Sequence, residues 1–171
     1  MKRLLSIALC VLSMSVMAQT LTTTVYRTAK KGQGSSMGSI VFKDTVHGLL
    51  IIPALHGLSP GLHGLHIHVK PDCSNLGMAA NGHFDPDHTG KHLGPYNDHG
   101  HLGDLPVLYV NSKGQAILPT LAPRLRVRDL PGHSLMIHAG GDNYSDTPEK
   151  LGGGGKRIAC AVIKAPQAHT K

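Results

Sequence analysis

Residues 61–68 read Gly61-Leu62-His63-Gly64-Leu65-His66-Ile67-His68, and the placing of histidine two residues from histidine decides how the chain is read. Along a β-strand, residues two apart face the same side, so His66 and His68 project together. Two imidazoles fixed on one strand face can grip one ion with almost no further loss of chain entropy. The same stretch opens a segment, Leu62 to Asp104, that holds eight histidines in 43 residues. It continues as NGHFDP (81–86), GKHLGP (90–95) and GHLGDLP (100–106), and SLMIHAGGDN (134–143) follows downstream. Neutral imidazole is the commonest metal ligand, so this clustering asks for a chemical explanation.

The rest of the chain sets those motifs in an all-β frame. Glycine and proline supply 21 and 11 of the 171 residues and interrupt the sequence too often for a helical period of three turns to survive. Short β-rich runs fall at Leu21 to Arg27, Met37 to Phe42, Gly48 to Leu55, Gly64 to His68, Leu105 to Val110, Ala116 to Leu121, Ser134 to His138 and Arg157 to Ile163. Eight short strands imply an eight-stranded sandwich or barrel. Asn111-Ser112-Lys113-Gly114 is predicted to be a hairpin turn, with Gly114 taking a positive φ. Two long segments, Val69 to Asp104 and Ala139 to Lys156, carry no strand signal, and loops of that length are usually functional.

Composition narrows the setting. Lys2 and Arg3 precede an apolar run from Leu4 to Leu12, with Val16-Met17-Ala18 as small residues at a cleavage position. Residues 1–18 thus read as a secretory signal peptide and 19–171 as one soluble domain, with no membrane anchor. Cys10 lies inside the leader, and Cys73 and Cys160 remain in an oxidising compartment, which favours a disulfide between them. Without the leader the chain keeps 15 basic and 10 acidic residues, a formal charge of +5. Four tyrosines, two phenylalanines and dispersed basic residues do not suit a nucleic-acid binder; attraction of a small anion or simple solubility accounts for the charge.

The histidines sort into two groups. His66 and His68, with His138 from a neighbouring β run, form a nitrogen-rich set suited to Cu(II). His92, His101 and Asp104 form a second group, in which the HLGD spacing of His101 and Asp104 brings an imidazole and a carboxylate together, and with His83 they make a three-histidine, one-aspartate set suited to Zn(II). His83 stands between the groups in sequence, and its ring has a nitrogen for each metal.

In order and in register, GLHGLHIH, NGHFDP, GKHLGPY, GHLGDLP, HAGGDN and GGGGKRIACAVI resemble the motifs of the copper,zinc superoxide dismutases, especially their bacterial periplasmic branch, over residues 36 to 164. The resemblance implies a Greek-key β-sandwich or barrel, immunoglobulin-like in architecture, with one copper ion and one zinc ion per subunit. It implies that His66, His68, His83 and His138 hold copper, that His83, His92, His101 and Asp104 hold zinc, and that Cys73 pairs with Cys160. It further implies that Arg157 lines the copper channel and acts with His83 in catalysis. Asp142 is implied to link a copper-side histidine to a zinc-side one, and His63 to be structural. His47, His56, His88, His99, His133 and His169 match no ligand motif. The implied activity is dismutation of superoxide in the periplasm by a monomer or homodimer. A copper or zinc buffer without turnover is the rival reading.

Overall fold

The structure, a computed structural model, describes residues 18–165. Residues 1–17, within the segment 1–18 read as a signal peptide, and His169 lie outside the described residues. Among the described residues nine strands form: β1 (Thr20–Thr28), β2 (Gln33–Thr45), β3 (Gly48–Leu55), β4 (Gly61–His63), β5 (Leu65–His68), β6 (Leu108–Val110), β7 (Thr120–Ala122), β8 (His133–His138) and β9 (Arg157–Ile163). Seven make one antiparallel sheet in the order β5-β8-β9-β1-β2-β3-β7, and β4 and β6 pair as a separate ribbon. The last strand, β9, lies beside the first, the return that marks a Greek key.

The alternation along β1 shows why the sheet has one wet face. Leu21, Thr23 and Val25 turn inward while Thr20, Thr22 and Thr24 face solvent. The core packs sheet residues such as Val25, Ile40, Phe42, Ile51 and Ile67 against Leu105, Leu108 and Val110 on the ribbon side. Strand β5 differs, because all four of its residues are buried. Leu65 and Ile67 belong to the core, and loops cover the face that carries His66 and His68.

Each of the eight predicted runs overlaps a strand, the run Ala116 to Leu121 by only two residues of β7, and the ninth, β4, comes from residues too few to show a period. The predicted turn at Asn111 to Gly114 forms, with Gly114 N–H donating to Asn111 O at 3.0 Å and φ of 74° at Gly114. The hairpin does not. β6 leaves the turn to pair with β4, whereas Ala116 bridges to Leu55 and β7 pairs with β3. The turn is a corner between ribbon and sheet, so the two arms bury their apolar residues from opposite sides of the core.

Residues 69–107 contain no strand, only isolated bridges and a short 3-10 turn, and one end of this segment is tied covalently to β9. Cys73 and Cys160, 87 positions apart in sequence, form a disulfide with Cα atoms 5.8 Å apart. It packs with Ala80 and Met136 as a small second core under the loop. Closing a loop of this length restricts the unfolded chain and contributes about 4–5 kcal/mol in the chain-entropy model. Replacing both cysteines with serine is expected to lower Tm by roughly 5–15 °C. A thermal unfolding curve that did not move would show that the bridge does not stabilise the fold.

Candidate metal centre

Three separate backbones meet at β5 and bring the histidines together. Phe84 N–H donates to Ile67 O, Ile67 N–H donates to Gly103 O, and Gly103 N–H donates to Phe84 O, each at 2.8 Å. Gly103 must be glycine, since a Cβ there would overlap the Ile67 carbonyl and stand 2.8 Å from Phe84 N. This clasp sets His68 opposite His83 and His66 opposite Asp104. His138 arrives from the end of β8, where its N–H donates to Gly64 O at 2.9 Å. Gly64 leaves room for the His66 ring, because a Cβ there would lie 3.2 Å from His66 Cε1.

Each ring on this side has one nitrogen committed to the protein. His66 Nε2–H donates to Asp142 Oδ2 at 2.8 Å, His68 Nδ1–H to Asn81 O at 2.7 Å and His138 Nδ1–H to Gly155 O at 3.2 Å. His66 Nδ1 and Nε2 of His68, His83 and His138 are buried without a hydrogen-bond partner, and the ligand atoms of these four residues lie within 4.8 Å of one another. Four buried lone pairs converging in this way fit a cation bound by four imidazoles, and nitrogen-rich sites of this kind suit copper.

Behind His83 lies the second group. His83 Nδ1 is 2.9 Å from Asp104 Oδ1, His92 Nδ1 is 3.0 Å from Asp104 Oδ2, and His101 Nδ1 is 3.4 Å from Asp104 Oδ1. Nδ1 of His92 and of His101 is buried without an aligned hydrogen bond. Three ring nitrogens around one carboxylate is the donor set of a zinc site. His66 also falls within 4.8 Å of His83, His92 and Asp104, but its Nε2 is committed to Asp142, and His101 supplies the free nitrogen on this side. Asp142 joins the groups, taking His66 Nε2–H on one oxygen and His92 Nε2–H on the other at 2.7 Å.

Electrostatics keep the first group neutral. Burial, reinforced by His83, lowers His66 to about 3, and burial lowers His138 to about 4. Burial, then the charges of His83 and Arg157, lower His68, and burial lowers His83. Neutral imidazoles offer lone pairs well below neutral pH. His92 is the exception: burial opposes protonation there, but hydrogen bonds to Asp104 and Asp142 outweigh it and raise the ring to about 9. Those same imidazole contacts hold Asp104 and Asp142 below the ordinary carboxylate range against their burial.

Arg157, at the start of β9, donates to Gly77 O and Asn81 O, each at 2.7 Å. Its charge lies close enough to His68 and His138 to lower both. His63 is buried beside the centre but faces away from it, with Nδ1 2.6 Å from His138 O and Nε2 2.8 Å from Ser59 O. His47, His56, His88 and His99 are exposed, and His133 Nδ1 donates to Val69 O.

Several contributors left no mark in the sequence. The carbonyls of Asn81 and Gly155 are backbone acceptors, and no side-chain pattern announces them. Asn81 adopts φ 65°, ψ −150°, a region almost reserved for glycine and one that clusters at functional sites. Gly152, within the run Gly152 to Gly155, lies against the Asp142–His92 contact: a Cβ there would overlap Asp142 Oδ1 and stand 2.8 Å from His92 Nε2.

An all-β frame holding paired, imidazole-linked metal groups defines a class of two-metal β-sandwich proteins. The family described as copper/zinc superoxide dismutase matches residues 36–163. Superoxide dismutase [Cu-Zn] of Legionella pneumophila is 52% identical over 152 residues, covering 89% of this chain and 91% of that protein. Among solved structures, Cu/Zn superoxide dismutase from Brucella abortus is 41% identical with a TM-score of 0.80, covering 85% of this chain and 100% of that one. The monomeric copper, zinc superoxide dismutase from Salmonella enterica is 46% identical with a TM-score of 0.75 over the same shares. The chain belongs to the copper/zinc superoxide dismutase family. Membership makes it an oxidoreductase whose metals are copper and zinc, and the two histidine-rich groups are able to bind them.

Gly152→Ala is expected to push Asp142 off His92 and to weaken zinc binding by about 10–100-fold, as loss of a ligand's outer partner does. Chelator competition measures this, and parental zinc affinity would mean that the contact is not needed. The protein stripped of metal is expected to lose stability as pH falls from 6.5 toward about 4. In that window the unfolded chain accepts protons that folded His66 and His138 still refuse. His92, raised in the fold, contributes fully below 6.5, and Asp104 and Asp142 lose their contribution only below 3.8, so neither masks the trend. A Tm constant between pH 7 and about 4.5 would contradict the buried neutral histidines.

Proposed function

We propose that His66, His68, His83 and His138 hold copper, that His83, His92, His101 and Asp104 hold zinc, and that the chain dismutates superoxide at this centre. The observation that carries the reading is the set of buried, unpartnered ring nitrogens on both sides of His83, whose two nitrogens face the two groups. Copper supplies a one-electron couple, so that two superoxide anions and two protons become dioxygen and hydrogen peroxide. Zinc has no redox chemistry of its own, and its ligands anchor the strandless segment 69–107.

The residues have separable tasks. His83 would be a ligand in both groups, and its buried, unpartnered Nε2 would take up and release a proton during turnover while Nδ1 stays beside Asp104. Asp142 fixes the tautomers of His66 and His92 by accepting their Nε2–H groups. Arg157 presents a permanent charge beside His68 and His138 and orients a diatomic anion. The excess of basic residues steers that anion from solution, an effect that salt weakens.

The export signal at residues 1–18, a single domain from 19 to 171, and a periplasmic location belong to this reading. Among the described residues no helix is long and apolar enough to cross a membrane. The similar Salmonella enterica protein is monomeric, and a monomer is the state proposed for this chain.

Protein loaded with both metals is expected to produce peroxide from superoxide catalytically; a fully loaded but inert preparation would favour the rival reading, a metal buffer. Arg157→Ala is expected to slow turnover by about tenfold and to flatten its dependence on ionic strength, with both metals retained. Loss of metal in that variant would assign Arg157 a structural role instead.

A further inference from the structure

Two charged side chains outside both metal groups grip the backbones of His92 and His101. Asp146 lies on the same loop as Asp142. Its Oδ2 accepts His92 N–H at 2.9 Å, across 54 residues of sequence, while its Oδ1 accepts Leu151 N–H at 3.1 Å. His92 is thus held at both ends by carboxylates four residues apart, Asp142 on ring Nε2 and Asp146 on the main chain. Every polar hydrogen of that residue is then committed, and only Nδ1 is left, 3.0 Å from Asp104 Oδ2.

Arg124 does the corresponding work at His101. It follows β7 by two residues, and its side chain is 13% exposed. Nη1 donates to His101 O at 3.0 Å and Nη2 to Gly100 O at 2.9 Å, so one guanidinium spans two consecutive carbonyls. Its Nε is 3.5 Å from Asp98 Oδ1, but that carboxylate is 90% exposed and adds little. His101 lies in no strand; its N–H donates to Lys91 O at 2.9 Å, and the Arg124 fork holds its carbonyl side. A lysine offers a single ammonium and does not reproduce a planar two-pronged contact.

We infer that Asp146 and Arg124 are positioning residues for the zinc group, fixing the main chains of His92 and His101 so that their Nδ1 atoms converge on Asp104 independently of the metal. This rests on the reading that His92 and His101 hold zinc. Neither residue touches a ligand nitrogen, and neither hydrogen-bonds His66, His68 or His138, the copper-side members that the zinc group does not share, which stand on β5 and β8. The two contacts therefore act directly on the zinc group and reach the copper side only through His83 and Asp142.

The test uses the full-length protein with copper bound. Zinc affinity is measured by chelator competition, and the zinc group is read from the visible absorption of cobalt(II) placed there. Asp146→Ala and Arg124→Ala are each expected to weaken zinc by about 10–100-fold and to alter the cobalt spectrum, while copper affinity changes by less than about threefold. Asp146→Asn, which keeps one amide oxygen as acceptor, is expected to recover part of the loss, and Arg124→Lys is not. Zinc affinity within about threefold of the parent, with an unchanged cobalt spectrum, would overturn the inference. Equal weakening of copper and zinc would also overturn it, since that is general loosening of the fold. His101→Ala is the control for the underlying reading: zinc held there at parental affinity would remove His101 as a ligand, whatever Asp146 does.

Discussion

The three peptide hydrogen bonds among Ile67, Phe84 and Gly103 are the constraint on which the rest of the molecule depends. A strandless segment of almost forty residues has no ladder to hold it, yet its histidines meet those of β5 within a few ångströms. The clasp supplies the missing ladder at one point. It docks the residues after His83 and before Asp104 onto the same strand that carries His66 and His68, and Gly103 is the one residue type that lets the three chains come so close. Once that point is set, the His83 ring stacks on His66 with centroids 3.9 Å apart, and the remaining ligands need only be brought in from outside.

What brings them in is a second layer of polar contacts, and its logic is to spend one nitrogen of each ring so that the other points inward. Asp142, Asn81 O and Gly155 O take the ring N–H groups of His66, His92, His68 and His138, while Asp146 and Arg124 take main-chain groups. Buried polar atoms left unpaired cost stability, so a cluster of neutral imidazoles with inward lone pairs is tolerable in a packed interior only when a cation is its partner. The fold is thus a stiff apolar sandwich on which a polar assembly is mounted, with β5 as the shared wall.

The sandwich was largely legible from residue types, because alternation and turn residues act over short stretches: all eight predicted runs overlap a strand. The rest was hidden for identifiable reasons. β4 is three residues long and shows no period, and the turn at Asn111 to Gly114 has the local chemistry of a hairpin while the core draws its two arms apart. Among the metal-centre residues, His66 and His68 announce themselves by strand spacing, and His101 and Asp104 by their nearness in HLGD. Asp146 and Arg124 do not, because a side chain that bonds a backbone group leaves no complementary residue to pair with. Gly152 is hidden likewise in a glycine run, where one position has a steric duty and its neighbours need not.

The carbonyl of Asn81 receives both the ring of His68 and one arm of Arg157. A single peptide plane, held in an uncommon backbone conformation, therefore sets the tilt of an imidazole and the placement of a positive charge at once. The two cannot be tuned separately by moving that plane: any drift in the loop that shifts the charge also turns the ring. Variation in how the chain receives an anion is accordingly easier through side chains around the mouth than through the segment that carries Asn81.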